Sequence, residues 1–150
     1  MKMIKELANN EKANRDLTLT WFKNSPLYVM LKQLSHHDVN IIITSDHGTM
    51  NVLEPSKVVG EKNISNNLRY KTGRKIKFDN KDVFCVEEPE QIMLPKTNIS
   101  SSFIFAAPNK YFVYPNNYNH YAHHYINTYQ HGGVSMEEMI IPVVSLKSKR

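Results

Sequence analysis

Leu27, Met30, Leu31 and Leu34 recur at the i, i+3, i+4, i+7 spacing of one helical face. Ser25-Pro26, directly ahead, supplies an N-cap followed by proline at the first helical position, so the spacing predicts an amphipathic helix from Pro26 to about His36. Residues 1–24 are polar and rich in helix formers, with Leu17, Leu19, Trp21 and Phe22 in a broken apolar pattern, and a helix is expected there as well. His37-Asp38-Val39-Asn40 then leads into Ile41-Ile42-Ile43-Thr44, a β-branched run without alternation, which is the pattern of a strand covered on both faces. Helix, short loop and covered strand in succession is α/β organisation.

From Met50 to Asn80 the chain turns polar and irregular, broken by Pro55, Gly60 and Gly73, and only Ile76 to Phe78 suggests a short strand. Val83-Phe84-Cys85-Val86 reads as a second covered strand, ended by Glu87-Glu88-Pro89, and residues 91–100 read as loop. Ser102 to Ala106 and Tyr111 to Tyr114 bracket Pro108-Asn109-Lys110 and predict a hairpin or a two-strand edge. After Pro115-Asn116-Asn117 comes a Tyr/His/Asn-rich stretch to Gln130, then His131-Gly132-Gly133, a short helix start at Ser135 to Glu138, a final strand from Met139 to Leu146 and a frayed tail from Lys147 to Arg150. No internal repeat or low-complexity tract divides the chain.

Composition narrows the class. At 150 residues and 41% hydrophobic content, one small core is the default expectation. The single cysteine, Cys85, excludes an internal disulfide framework and a Cys-rich zinc ribbon; it reads as a small buried hydrophobe in a reducing, cytoplasmic setting. No apolar run approaches the roughly 18 residues of a membrane span. The opening MKMIKELANNEK has no apolar signal core, so neither membrane insertion nor secretion is expected. The formal net charge is +5, and the segment from Lys57 to Lys77, with seven basic residues and only Glu61 as an acid, accounts for all of it.

The chemistry concentrates at two places. Asp46-His47-Gly48 follows the first strand, and ligands of open α/β sheets bind outside the carboxyl ends of strands. Adjacent Asp and His there can give one oxygen and one nitrogen ligand to a zinc-like cation, while the plainer reading has Asp46 capping a turn. The second place is His131-Gly132-Gly133-Val134-Ser135-Met136-Glu137-Glu138, a histidine ahead of a flexible Gly-Gly and a Ser-x-x-Glu capping pattern. Together the two make an Asp46/His47/His131 set of candidate metal ligands. The basic segment adds Arg69 and Arg74 as candidate bidentate phosphate contacts and Tyr70 as a stacking face, against the plainer reading of a solvated lysine-rich loop. His120, His123 and His124, among Tyr118, Tyr121, Tyr125 and Tyr129, fit a packed aromatic surface or a pocket over a flat base. His36 and His37, at a helix C-terminus, are assigned no catalytic role.

Ile41-Ile42-Ile43-Thr44-Ser45-Asp46-His47-Gly48, taken with His131-Gly132-Gly133-Val134-Ser135-Met136-Glu137-Glu138-Met139-Ile140-Ile141-Pro142, resembles the C-terminal part of a PglZ domain, a branch of the alkaline phosphatase superfamily. The segments 66–71, 115–121 and 129–131 are similar to those of PorX-like response regulators, whose output domain is a PglZ module, and the resemblance covers the chain from about Glu6 onward. It implies an alkaline-phosphatase-like sheet flanked by helices, two metal ions, usually zinc, a phosphoester substrate and a Thr or Ser nucleophile. By this resemblance Asp46 and His47 belong to one metal centre and His131 to the other. The family's nucleophile, its first metal-binding Asp and a further Asp/His pair precede the Asp-His motif, and residues 1–40 hold no matching element. Residues 1–150 are therefore expected to be the C-terminal part of a larger domain, inactive alone, partnered by the missing upstream part and by a receiver domain. The function expected is part of a zinc-dependent phosphodiesterase acting on nucleotides or oligonucleotides. The alternative from another class is a non-catalytic regulatory module that binds a nucleotide, a metal or a protein. Sequence-specific DNA binding is disfavoured, because no helix-turn-helix or zinc-finger spacing accompanies the basic loop.

Overall fold

The computed structural model describes residues 11–60, 65–96 and 100–148. The expected helix over residues 1–24 lies within that span only from residue 11, and the end of the expected tail, residues 149–150, lies outside it, as do Glu61 and Lys62 of the basic segment. Helices and strands mix along the chain, as α/β organisation requires, and the residues divide into two compact units, 1–46 with 141–150 and 47–140.

In the first unit, helix α1 (Glu11–Lys23) precedes α2 (Pro26–Leu34), two residues shorter than its apolar spacing suggests. Ser25 caps α2 as expected: its Oγ accepts from the Tyr28 N–H at 3.3 Å and donates to the Phe22 carbonyl at 2.7 Å. The isoleucine run forms strand β1 (Asn40–Thr44), which pairs antiparallel with β9 (Val143–Lys147). The register Ile41↔Leu146 and Ile43↔Val144 puts these four apolar residues on one face. A cavity of about 460 Å³ lies on that side, lined by Leu31 and Leu34 of α2 together with Ile41 and Leu146. The expectation of a strand covered on both faces is corrected here. Ile42 is 68% exposed and Val143 equally so, because β1 has a single partner and nothing packs over its other side among the described residues. The expected strand from Met139 begins only at Val143; the residues before it close helix α4 (Met136–Met139).

The second unit holds every fully buried apolar side chain among the described residues. Its centre is β6 (Ser102–Ala106), flanked antiparallel by β4 (Tyr70–Gly73) on one edge and β5 (Val83–Val86) on the other. The strand's period of two feeds two clusters. Ile104 and Ala106 pack with Val58 and Phe112, and Phe103 and Phe105 with Val86. Cys85 borders the first cluster, half-buried, and burial raises its thiol pKa. The expected hairpin of β6 with β7 (Lys110–Val113) is corrected. Both edges of β6 are already occupied, so β7 turns away at Asn109, whose φ is +62°, and pairs parallel with β3 (Glu54–Lys57). The expected strand at Ile76 to Phe78 is reduced to one bridge, Val59↔Lys77.

Five elements were not expected from the sequence, β4 among them. β2 (Met50–Val52) and β3 lie in the irregular stretch after Met50, and the Tyr/His/Asn-rich stretch contains helix α3 (Tyr118–Tyr125) followed by β8 (Thr128–Gln130). Tyr118 and Tyr125 of α3 pack on a cluster of Met50, Val52, Tyr111 and Val113, while His120, His123 and His124 stay exposed. The His120 and His124 rings lie parallel at 6.2 Å, and Tyr121 and Tyr125 border a cavity of about 500 Å³.

Candidate functional site

The site in the second unit is built on the shortest ladder of the fold. β2 and β8 pair antiparallel with Met50 opposite Gln130. In such a ladder the residues just before one strand lie beside those just after the other. His47 precedes Met50 by three residues and His131 follows Gln130 directly, so the ladder delivers both to the same end. Their rings stack with centroids 4.0 Å apart and an interplanar angle of 11°.

The backbone around both histidines is held from behind. The His47 Nδ1–H donates to the Gly48 carbonyl at 2.8 Å, which fixes the orientation of the ring. The Gly48 N–H donates to the Glu138 carbonyl at 2.8 Å. A Cβ on Gly48 would overlap the Glu137 carbonyl oxygen, so the close approach of this loop to α4 needs glycine. On the other side, Asn67 Nδ2 donates to the His131 carbonyl at 3.2 Å, and Gly132 turns the chain with φ +101°.

Beneath lies a buried ion pair that the sequence did not announce. Arg69 and Glu138 have side chains 0% and 1% exposed and meet through two parallel bonds, Nε to Oε1 at 2.9 Å and Nη2 to Oε2 at 2.8 Å. Arg69 Nη1 donates to the carbonyls of Ala107, at 2.9 Å, and Lys110. Glu138 also accepts from the Gly133 N–H at 2.9 Å and, at 3.4 Å, from the Ser135 N–H. The Ser-x-x-Glu signal marked Glu138 as a helix cap, and it does reach back to Ser135, but nothing in that signal pointed to Arg69. Burial pushes the Glu138 carboxyl up, yet the Arg69 hydrogen bonds and charge, with the Gly133 N–H, outweigh it and hold the pKa below its ordinary value.

The other expected site residues fall as follows. Asp46 belongs to the first unit, at the bend after β1, and is exposed. Arg69, expected on the substrate side, is interior. Tyr70, half-buried, starts β4 near Phe103 and Phe105, and Arg74 is exposed just beyond it. The basic segment does not form one solvated patch, because Lys71 is also interior. Its Nζ donates to the Ser65 carbonyl at 2.8 Å and sits 4.5 Å above the Tyr114 ring, and burial lowers its pKa to about 8. Among the described residues no group of three or more His, Cys, Asp or Glu side chains is gathered for a metal ion, and no helix is long and apolar enough to cross a membrane.

The mix of helices and strands is consistent with the α/β fold of alkaline-phosphatase-like, phosphoesterase-type domains. The family model described as the BREX system PglZ alkaline phosphatase-like domain matches residues 2–146, and the chain belongs to that family. Domains of the alkaline-phosphatase-like superfamily are in general metal-dependent. No curated protein matches the chain.

Proposed function

We propose that this chain contributes metal ligands and substrate contacts to a zinc-dependent phosphoesterase that cleaves phosphodiesters, nucleotides or oligonucleotides among them, as the output part of a two-component response regulator. The observation that carries the reading is the face-to-face placement of His47 and His131 at 4.0 Å. Two-metal phosphoesterases hold their cations about 3.5–4 Å apart, so imidazoles at this separation suit one ligand on each of two neighbouring ions. Asp46, next to His47 in the chain, and His47 are assigned to one zinc ion, and His131 to the other. The donor types fit zinc, and the Gly48 carbonyl on His47 Nδ1 is the kind of partner that orients a ligating imidazole.

When bound, zinc supplies Lewis acidity toward the phosphoryl oxygens and lowers the pKa of the attacking group. The chain's own part is placement. His47 presents Nε2, and the glycines beside both histidines keep the backbone close to α4. The exposed Arg74 offers a planar fork to a phosphate, Tyr70 offers a ring face, and Arg69 takes part from beneath rather than by touch. In this reading the Thr or Ser nucleophile, with the rest of the domain and a receiver domain, is supplied by sequence outside these 150 residues.

The test is a zinc titration paired with hydrolysis of an aryl phosphodiester, on the chain alone and with upstream sequence attached. Zinc binding that is lost in His47→Ala and His131→Ala, with turnover only in the longer form, is the expected result. Binding indifferent to both substitutions would overturn the assignment of ligands, and zinc binding without turnover in either form would favour a non-catalytic module.

A further inference from the structure

We infer that the buried Arg69–Glu138 pair is the positioning element that holds His47 and His131 face to face. Its functional meaning rests on the metal-centre reading above, whereas the placement it asserts concerns only the two rings. Both histidine segments are fastened to the same residue. On one side the Gly48 N–H, next to His47, bonds the Glu138 carbonyl at 2.8 Å. On the other the Gly133 N–H, two residues from His131, bonds the Glu138 carboxylate at 2.9 Å.

Arg69 adds a second line to His131. Its backbone N–H donates to Asn67 Oδ1 at 2.7 Å, and the same amide's Nδ2 holds the His131 carbonyl. The packing leaves no slack. A Cβ on Gly133 would lie 2.8 Å from Glu138 Oε1 and 2.9 Å from Arg69 Nη2, and one on Gly132 would lie 2.6 Å from Asn67 Nδ2. A buried ion pair is often no more stabilising than an apolar pair of similar volume, so stability alone does not account for it. A two-bond fork does fix direction, and direction is what two stacked rings on separate strand ends require.

The test reads the rings directly in the full chain, without metal. In histidine-labelled protein, the His47 and His131 imidazoles are expected to show mutual ring-current shifts in NMR, told apart from the parallel His120 and His124 rings by their loss in His47→Ala and His131→Ala. Glu138→Gln, which keeps size and an acceptor but removes the charge, is expected to erase those shifts while amide dispersion shows a folded chain. Asn67→Ala removes the His131 line, together with the acceptor of the Arg69 and Tyr70 N–H groups, and keeps both side chains of the ion pair, so it is expected to reduce the shifts. Folded variants that keep the wild-type shifts overturn the inference, and if Glu138→Gln does not fold, Arg69→Lys, which keeps the cation but loses the two-bond fork, is read in its place. Zinc titration of the same samples separates the two claims, with affinity expected to fall about 10- to 100-fold as the shifts vanish. Vanished shifts with unchanged zinc affinity, or a wild-type chain that binds no zinc, would sink the metal-centre reading and leave the positioning result standing.

Discussion

Phe103-Ile104-Phe105 and Ile41-Ile42-Ile43 are the same kind of sequence, three large apolar residues in an unbroken run, and they meet different fates. The first is the centre of β6, with strands on both edges and clusters on both faces, and its exposures are 7%, 0% and 6%. The second is the centre of β1, with one partner strand, and its middle residue is 68% exposed. An unbroken apolar run states what a strand needs, namely cover on two sides, and the surrounding chain decides whether the need is met. Within the described residues it is met for β6 and not for β1.

The steepest way to break this contrast is Arg69→Ala. Arg69 stands at the head of β4, where its carbonyl accepts the Ala106 N–H, and its loss leaves Glu138 buried without its cation. The expected cost is about 3–5 kcal/mol in urea unfolding. It should be largest near neutral pH and shrink in acid, since a carboxylate held below its ordinary pKa contributes stability that is lost as pH falls through that lowered value.

Ile104→Ala against Ile42→Ala is the direct comparison. The first is expected to cost about 2–5 kcal/mol and the second less than about 0.5 kcal/mol, with β6 amides exchanging hydrogen more slowly than those of β1. If Ile42→Ala were as costly as Ile104→Ala, the contrast between the strands would collapse.

Lys71 sharpens the same point with pH. Its folded pKa of about 8 lies below the ordinary 10.5, so between these values the unfolded chain binds more protons and stability rises with pH. Lys71→Met should flatten that rise. An identical pH profile in the variant would show that the amine is not desolvated. A smaller effect than at the buried sites is expected at Ser25→Ala, about 1 kcal/mol, from the lost cap of α2. Because the cap belongs to the first unit, it should speed exchange in α2 and leave β6 amides unchanged.

What could be read from sequence divides along physical lines. The Ser25-Pro26 cap, the strands at 40–44, 83–86 and 102–106 and the β7 strand at 110–113 were legible because local periodicity and turn residues determine them. β2 and β8, three residues each, were not, because so short a strand has no period to show, and they are the pair that brings His47 and His131 together. β4 was hidden by its lysine, since an inward position filled by Lys71 reads as polar. In α3, Tyr and His replace the aliphatic residues that mark a helix face. The two histidines could be named from their motifs. The Arg69–Glu138 pair could not, because its members lie 69 residues apart and each, read alone, looks like surface charge.

The register of that short ladder also has a hereditary side. One residue gained between His47 and Met50, or inserted between Gln130 and His131, would displace one ring from the end of the ladder at which the other sits. Substitution can be absorbed at many places in this chain. At these two junctions a change of length would separate the pair, so the distance in sequence from each histidine to its strand is the trait its descendants have to keep.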